Sequence, residues 1–344
     1  MSLKLTTYPV RLALKEPFVL SYGTFHHRDT LIISLEDPMG YIGHGEATAI
    51  SYFGLSIEKL QNALEAKRKV IESITFDQPE EVFRTWKYLF EDIPFLQSAL
   101  DCASWDLYAC RQKKTLRSII GDQSAPPKSS FTLSGTPDQI DRHLQSSGWP
   151  ILKVKMGTQY DDGIIEVLEA FQGNAEIRID ANGGWDLPKA EELGKRLRSL
   201  GIQWIEQPLP KDAFESFQYL PQIEGLEWWA DESVTDMASL NQCIPYYHGL
   251  NFKLMKSGGI SPTLQLIHYA KQKNVKVALG CMTESSFGIS ALAQLASLVD
   301  ALDMDGNLLI QNDPGEGVYL DNGHIIFTER CGIGCQWKNN HEKI

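Results

Sequence analysis

Charged residues recur at the ends of short apolar segments through the second half of the chain. Five consecutive segments each carry one charge near the C-terminal end: Lys155 in ILKVKMG, Asp180 in EIRIDAN, Glu206 in IQWIEQP, Asp231 in EWWADES and Lys253 in GLNFKLMK. The intervals are 25, 26, 25 and 22 residues, about one strand–helix unit each. Because equivalent positions on successive parallel strands meet at one end of a barrel, this spacing predicts a ring of charges there.

The alternation behind this spacing favours an α/β fold. Amphipathic stretches such as LPKAEELGKRLRSLG separate apolar segments that we predict as strands. There are eight of them, at 131–135, 151–157, 176–182, 202–208, 227–233, 249–256, 275–282 and 301–305. Such a series indicates a (β/α) barrel. Residues 306–344 are rich in Gly and Asn, so we expect the last helix to be missing or replaced.

The first third of the chain has a different pattern. Residues 1–60 indicate a β-meander with a turn at Pro38, Met39 and Gly40, and residues 56–121 carry the 3–4 apolar spacing of helices. The pair Pro126 and Pro127 marks a domain boundary. We therefore predict an N-terminal α+β domain of residues 1–125, completed by 316–344, and a barrel domain of residues 126–315.

Composition excludes several classes of protein. The formal net charge of −12 argues against a nucleic-acid partner. No apolar run is long enough for a membrane span, and the first residues lack the apolar region of a secretion signal. Six cysteines without a C-x-x-C pair predict reduced thiols in a cytoplasmic protein. The spacing of Cys331 and Cys335 leaves a disulfide or metal pair open.

The ring of charges contains three adjacent carboxylates, Asp180, Glu206 and Asp231. Buried together, they cannot all ionise unless a cation compensates them. Oxygen ligands without cysteine or paired histidine suit Mg²⁺, or alternatively Mn²⁺. The alternative is a structural ring of ion pairs with lysine, although barrels usually fill such layers with branched apolar residues.

Two lysines flank the carboxylates from strands on opposite sides of the barrel. A metal that holds a substrate carboxylate stabilises the enediolate left when the α-proton departs. Lys155 and Lys253 would then exchange protons with opposite faces of the α-carbon and so invert it. Lys153 lies two residues before Lys155 on the same strand face, and its charge should lower the pKa of Lys155.

These segments together resemble the enolase superfamily, in its muconate-lactonizing subgroup. The resemblance rests on K-x-K at 153–155, IDAN, IEQP, ADES and NFKLMKSGG, and it covers nearly the whole chain. It implies a (β/α)7β TIM-like barrel with an N-terminal α+β capping domain. It also implies that Lys155 and Lys253 are the acid/base pair and that Lys153 contacts the substrate carboxylate. Lys256 is expected to be structural.

Two further segments are similar to those of the dipeptide epimerases in this subgroup. Asp303 and Asp305 form a D-x-D at the end of the eighth strand, where two carboxylates can bind a free α-ammonium group. GCMTES at 280–285 resembles the family's seventh-strand segment. That resemblance implies that Cys281, Met282 and Thr283 line the substrate. Thr132, at the end of the first strand, is a further candidate for a substrate contact.

The resulting prediction is a Mg²⁺-dependent dipeptide epimerase that inverts the C-terminal residue by two-base 1,1-proton transfer. Three alternatives remain open: an N-acylamino acid racemase or o-succinylbenzoate synthase, an Ala-Glu epimerase, and a non-catalytic barrel that keeps the metal site. Homo-oligomer formation is left open as well.

Residues 17–30 resemble the family's mobile loop over the site, and Tyr52, Phe53 and Gly54 a second loop. Members acting on Ala-Glu carry an arginine in the first loop. This chain has Gly23 there, and Arg28 is expected in the following strand. Tyr22, Phe25 and Phe53 suit a neutral side chain, so we predict Ala-Ala or Ala-hydrophobic dipeptides as substrates.

Overall fold

Residues 3–20, 23–121 and 124–339 are described by a computed structural model of the chain. The N-terminal unit begins with a three-stranded antiparallel sheet in the order β1-β2-β3. Its strands are β1 (Lys4–Leu20), β2 (Gly23–Glu36) and β3 (Ile42–Thr48). Four helices follow: α1 (Ile57–Glu72), α2 (Pro79–Leu89), α3 (Pro94–Arg111) and α4 (Leu116–Ile120). The predicted meander and helical region are both confirmed.

Helix α3 is buried on nearly every side, because it packs against β3 and also contacts the barrel helices. Two glycines of β3 make this close approach feasible. A Cβ atom on Gly43 would lie 2.1 Å from the carbonyl oxygen of Ala103, and one on Gly45 would lie 1.9 Å from that of Ala99. No larger residue fits at either position, so these glycines fix the distance between sheet and helix.

Eight further strands form a parallel sheet in chain order. They are β4 (Phe131–Leu133), β5 (Ile151–Lys155), β6 (Glu176–Asp180), β7 (Trp204–Glu206), β8 (Glu227–Ala230), β9 (Gly249–Phe252), β10 (Lys276–Gly280) and β11 (Ala301–Asp303). A parallel bridge between Ser129 and Leu302 joins the two edges and closes the barrel. All eight predicted strands are present.

Helices follow each of the first seven barrel strands. They are α5 (Pro137–Ser146), α6 (Asp161–Ala170), α7 (Leu187–Ser199), α8 (Phe214–Phe217), α9 (Met237–Cys243), α10 (Leu254–Ser257), α11 (Ile260–Gln272) and α12 (Ser286–Ala293). After β11 the described chain has a short 3-10 helix, Gly306–Leu309. The predicted (β/α)7β barrel with its N-terminal α+β domain is therefore confirmed.

Strand alternation explains the lysines of β5. Val154 is fully buried in the layer between strands and helices, whereas Lys153 and Lys155 point to the barrel interior, where they meet carboxylates. In the register of the sheet, Lys155 pairs with Asp180 and Asp180 with Glu206. Three of the predicted charges thus lie at one level of the barrel.

The C-terminal segment returns to the N-terminal unit. It contains β12 (Gly315–Glu316), β13 (Tyr319–Asp321), β14 (His324–Ile326) and β15 (Gln336–Trp337). The ring of Trp337 packs 4.7 Å from that of Tyr8, centroid to centroid. The domain limits at 125 and 315 stay predictions of the sequence. Within the described ranges, none of the helices combines the length and apolar character needed to cross a membrane.

A disulfide joins Cys110 at the end of α3 to Cys331 in the C-terminal segment, with 5.0 Å between the Cα atoms. The expectation that all six cysteines are reduced is therefore wrong for these two, and the Cys331–Cys335 disulfide that the spacing left open is not formed. The partners are 221 residues apart in sequence. Only the return of the chain to the N-terminal unit brings them together.

Candidate active site

Three carboxylates meet where β6, β7 and β8 end. Asp180 and Glu206 are the last residues of β6 and β7, and Asp231 directly follows β8. One ligand oxygen from each lies within 4.8 Å of the others, and all three residues are buried. Three hard oxygen donors in a buried cluster of this size fit a Mg²⁺-like cation. The donor set contains no sulfur or imidazole that would favour zinc.

Lysines surround the cluster. Lys153 lies 2.9 Å from Asp180 and 2.9 Å from Glu206, and Lys155 lies 2.7 Å from Asp180. Lys253 lies 2.6 Å from Asp231, and Lys256 contacts the same carboxylate. The ring of ion pairs considered as an alternative is thus part of the structure.

These lysines do not compensate every acid. Burial raises the pKa of Glu206 to about 8; Lys153 opposes this shift, whereas Asp180 and Asp231 add to it. For Asp180 and Asp231 burial also opposes ionisation, but the adjacent lysines outweigh it and hold each pKa below its usual range. Because the positive charge around one carboxyl group is insufficient, a further cation would be bound favourably by this cluster.

A pocket lies directly above the cluster, between the barrel mouth and the N-terminal unit. Lys155, the last residue of β5, and Lys253, which directly follows β9, face it, and these two strands are four apart in the eight-stranded barrel. The other predicted residues on its wall are Thr132, Cys281, Met282, Thr283, Asp303 and Asp305. Lys153 is absent from this wall and only 1% exposed. It lies deeper, among the carboxylates.

Asp303 and Asp305 are held at one end of the pocket by β4 and by the residue that precedes it. Asp305 accepts hydrogen bonds from the backbone N–H of Thr132 at 2.6 Å and from its hydroxyl at 3.2 Å. Asp303 accepts from Ser130 at 2.9 Å and from Lys153 at 2.6 Å. Burial and the neighbouring Asp303 raise the pKa of Asp305 to about 7. The end of the pocket is therefore acidic, as the D-x-D motif suggested.

The segment after β10 forms another part of the wall. The backbone N–H of Cys281 donates to the carbonyl oxygen of Asp303 at 2.9 Å. The N–H of Met282 donates to the carboxylate of Glu284 at 3.0 Å. These bonds fix the chain where Cys281, Met282 and Thr283 meet the pocket.

Several wall residues were not predicted as site residues, and Lys256, expected to be structural, is one of them. Glu232 and Asn182 follow the strands of the carboxylate cluster, and the amide of Asn182 donates to Glu232 at 3.0 Å. Their places in ADES and IDAN, next to predicted ligands, were the available signal. Arg28 lies on β2, as expected, but its side chain is 5% exposed and lines the pocket. Its guanidinium carbon lies 4.5 Å from the ring centroid of Phe25.

Aromatic residues of the N-terminal unit cover the pocket. Phe18, Tyr52 and Phe53 lie on its wall together with Ile50. Phe25 contacts Arg28 but is not itself on the wall. Tyr22, which the sequence also suggested, falls outside the described residues. The wall opposite the lysines is therefore largely apolar, with Arg28 as its cation.

Known proteins resemble the chain along nearly its full length. Residues 2–121 match the family model of the mandelate racemase / muconate lactonizing enzyme N-terminal domain, and residues 136–341 match the enolase C-terminal domain-like model. An L-Ala-D/L-amino acid epimerase of Flavobacterium johnsoniae is 33% identical over 335 residues, which are 96% of this chain and 99% of that protein. One from Maribacter is 35% identical over 326 residues, covering 94% and 96%.

A solved structure shows the same likeness. The dipeptide epimerase from Cytophaga hutchinsonii, complexed with Mg and the dipeptide D-Ala-L-Val, superposes with a TM-score of 0.92 at 25% identity. The match covers 99% of this chain and 97% of that one.

Proposed function

The chain belongs to the mandelate racemase / muconate lactonizing enzyme family of enolase-like proteins, and from that premise we propose that it is a Mg²⁺-dependent dipeptide epimerase. The observation that carries the proposal is one pocket with two lysines on opposite sides and a D-x-D at one end, above three clustered carboxylates. This arrangement can orient a dipeptide and exchange a proton at either face of its C-terminal α-carbon.

Asp180, Glu206 and Asp231 would hold the metal. A Mg²⁺ ion held there would supply positive charge that offsets the negative charge developing on the substrate carboxylate as the α-proton leaves. Lys155 and Lys253 act as the acid/base pair, since both amines line the pocket from strands on opposite sides of the barrel. One amine removes the α-proton and the other returns a proton to the opposite face, which inverts the carbon.

Lys153 has a different place in the proposal. It bridges Asp180, Glu206 and Asp303, so it joins the metal cluster to the ammonium end of the pocket. We assign it contact with the substrate carboxylate, which must approach the same cluster. Its ammonium charge also offsets part of the negative charge beneath the substrate.

Asp303 and Asp305 bind the α-ammonium group of the dipeptide. Their carboxylates are already oriented by Ser130 and Thr132, so little ordering is needed when the substrate arrives. N-acylated amino acids have no such ammonium. The acidic end therefore favours a dipeptide over the substrates of the racemase and synthase alternatives.

For the C-terminal residue we propose alanine or a hydrophobic side chain. The apolar wall of Phe18, Ile50, Tyr52 and Phe53 supports this choice. Arg28 supports a second candidate, an Ala-Glu epimerase, because a buried guanidinium can pair with a side-chain carboxylate.

Steady-state kcat/KM on a dipeptide panel tests both candidates. Ala-Ala, Ala-Leu and Ala-Phe should exceed Ala-Glu by about tenfold or more, which is the effect of roughly 1.4 kcal/mol in transition-state binding. A preference for Ala-Glu that Arg28→Met abolishes would replace the hydrophobic assignment. Failure of every dipeptide to incorporate solvent deuterium at the α-carbon would reject the epimerase itself and favour a non-catalytic barrel.

We also propose Mg²⁺ as the resident ion and the cytoplasm as the location. The oxygen-only ligand set supports the first. Four cysteines outside the disulfide, Cys102, Cys243, Cys281 and Cys335, are free thiols, which supports the second. The Cys110–Cys331 bond favours an oxidising compartment instead. Thiol titration of the protein in fresh cytosolic extract decides between the cytoplasm and an oxidising compartment.

A further inference from the structure

Glu46 of β3 is a buried carboxylate that lies outside the pocket wall. It is 3% exposed, and its partners come mainly from the barrel. The backbone N–H of Ser285 donates to it at 3.0 Å, the Ser285 hydroxyl at 2.5 Å and the N–H of Gly288 at 3.1 Å. On its own sheet, the hydroxyl of Thr30 donates at 2.8 Å.

The donor groups of Ser285 and Gly288 belong to the N-terminal end of α12. The first N–H groups of a helix have no partner within the helix and need an external acceptor. Here the acceptor is a side chain of the N-terminal unit, 239 residues away in sequence from Ser285. A carboxylate at a helix N-terminus also interacts favourably with the helix dipole.

The residues just before α12 line the pocket. Cys281, Met282 and Thr283 lie on its wall, and Glu284 turns back to accept from the N–H of Met282. Ser285 follows directly, so the bonds to Glu46 fix the C-terminal end of this short segment. Its other end is fixed by β10 and by the bond from Cys281 to Asp303.

We propose that Glu46 is a positioning residue for substrate binding: by capping α12 across the domain interface, it sets where segment 281–285 meets the dipeptide. This inference rests on the proposed function, which makes that segment part of the substrate site. Glu46 itself touches no reacting group. Its effect should appear in KM for the dipeptide more than in kcat, because Lys155 and Lys253 are positioned by β5 and β9 and not by segment 281–285.

The variant Glu46→Gln tests the proposal. Glutamine removes the negative charge and keeps only one acceptor oxygen, which the N–H groups of Ser285 and Gly288 must then share, so the bonds that hold α12 become weaker. KM should rise about tenfold while kcat changes less than about threefold. Hydrogen exchange of amides in a peptide covering 281–288 should speed up by about tenfold, since the segment opens more easily.

Asp106→Asn is the matched control. Asp106 is also a buried carboxylate of the N-terminal unit, and it accepts from the backbone N–H groups of His44 at 2.8 Å and Ile333 at 2.7 Å. Neither partner lies on the pocket wall. This variant should lower the melting temperature but leave KM and the exchange of 281–288 unchanged.

Ser285→Ala keeps the test decisive if Glu46→Gln does not fold. It removes the hydroxyl that donates to Glu46 and that also accepts from the N–H of Phe287 at 3.2 Å. Both backbone donors to Glu46 stay in place, so a smaller rise in KM and in exchange is expected. The proposal is overturned if Glu46→Gln folds and has the KM and the exchange rate of the wild type. If Glu46→Gln does not fold, the same result in Ser285→Ala overturns it. An equal rise of KM in Asp106→Asn would do the same. If no dipeptide is turned over even by the wild type, the proposed function fails, and the exchange measurement alone decides whether Glu46 holds the segment.

Discussion

Removing one lysine of the acid/base pair should affect the two substrate epimers unequally. In Lys155→Ala, epimerisation should fall in both directions by about 10²–10⁴-fold, the usual contribution of a general acid or base, which corresponds to about 3–5 kcal/mol. Proton exchange with solvent should disappear for the epimer whose α-proton faces β5. It should persist for the other epimer, which Lys253 still reaches.

The structure indicates that this variant folds. A buried carboxylate left without its partner costs about 3–5 kcal/mol, but Asp180 keeps Lys153 at 2.9 Å after Lys155 is removed. The stability loss should therefore stay well below that figure. Likewise, Asp231 keeps Lys256 in Lys253→Ala, and this variant should spare the opposite epimer.

The assay follows deuterium at the substrate α-carbon by ¹H NMR in D₂O, starting from each pure epimer. Lys189→Ala is the control, because Lys189 lies on α7 and pairs with Asp161 at 2.8 Å, away from the pocket. It should exchange both epimers at the wild-type rate. If Lys155→Ala still exchanges both epimers in the wild-type ratio, the two-base assignment is wrong.

Four other perturbations address the metal, the ammonium site, a buried acid and the disulfide. EDTA should abolish turnover and Mg²⁺ should restore it. In thermal unfolding, Mg²⁺ at about 100 times its Kd should stabilise the folded protein by about 2.7 kcal/mol. Turnover that survives EDTA would contradict the metal assignment. Asp305→Asn should raise KM for dipeptides about 10–100-fold, because a hydrogen bond to a charged group contributes about 1.5–3 kcal/mol, while weak binding of an N-acetylated analogue should not change. Burial raises the pKa of Asp101 from 3.8 to about 7, so the folded protein keeps this proton to higher pH than the unfolded chain and loses stability as pH rises from about 4 to 7. As pH rises through that window, the free energy of unfolding of Asp101→Asn in urea should therefore increase relative to that of the wild type by up to about 4 kcal/mol. A difference between the two proteins that does not vary with pH would refute the raised pKa. Cys110→Ser should lower the unfolding free energy by up to about 5 kcal/mol, since the bond closes a loop of 221 residues; an unchanged melting temperature would show that the bond is not formed in solution.

The barrel could be predicted because its pattern is local and repeated. Each strand–helix unit carries its own hydrophobic periodicity, and the charges at the strand ends keep step with that repeat. Lys155, Asp180 and Glu206, which are regularly spaced in the sequence, lie at one level of the sheet. They do so because parallel strands with connections of similar length end at the same side of the barrel. Both the fold and the carboxylate cluster follow from this regularity.

Contacts between the N-terminal unit and the barrel could not be predicted in the same way. Arg28 occupies a strand position whose neighbours, Asp29 and Thr30, give no sign of the pocket it faces. The sequence places it correctly on a strand after the loop. Which face of that strand meets the barrel is decided by the packing of the two domains, and periodicity within β2 does not contain that information.

Buried acids show most clearly where sequence reasoning ends. Asp101 lies in the middle of an amphipathic helix and reads as a solvated or packing residue, yet it accepts from the N–H and the hydroxyl of Ser261, 160 residues away, at 2.8 Å each. Glu46 does the same for Ser285. Ser261 lies in the first turn of α11 and Ser285 precedes α12, so two carboxylates of the N-terminal unit satisfy the ends of two successive barrel helices. Those helices follow the strands that lead to Lys253 and to segment 281–283. The N-terminal unit therefore does more than cover the pocket: it supplies acceptors without which the chain around two sides of the site would have unpaired N–H groups.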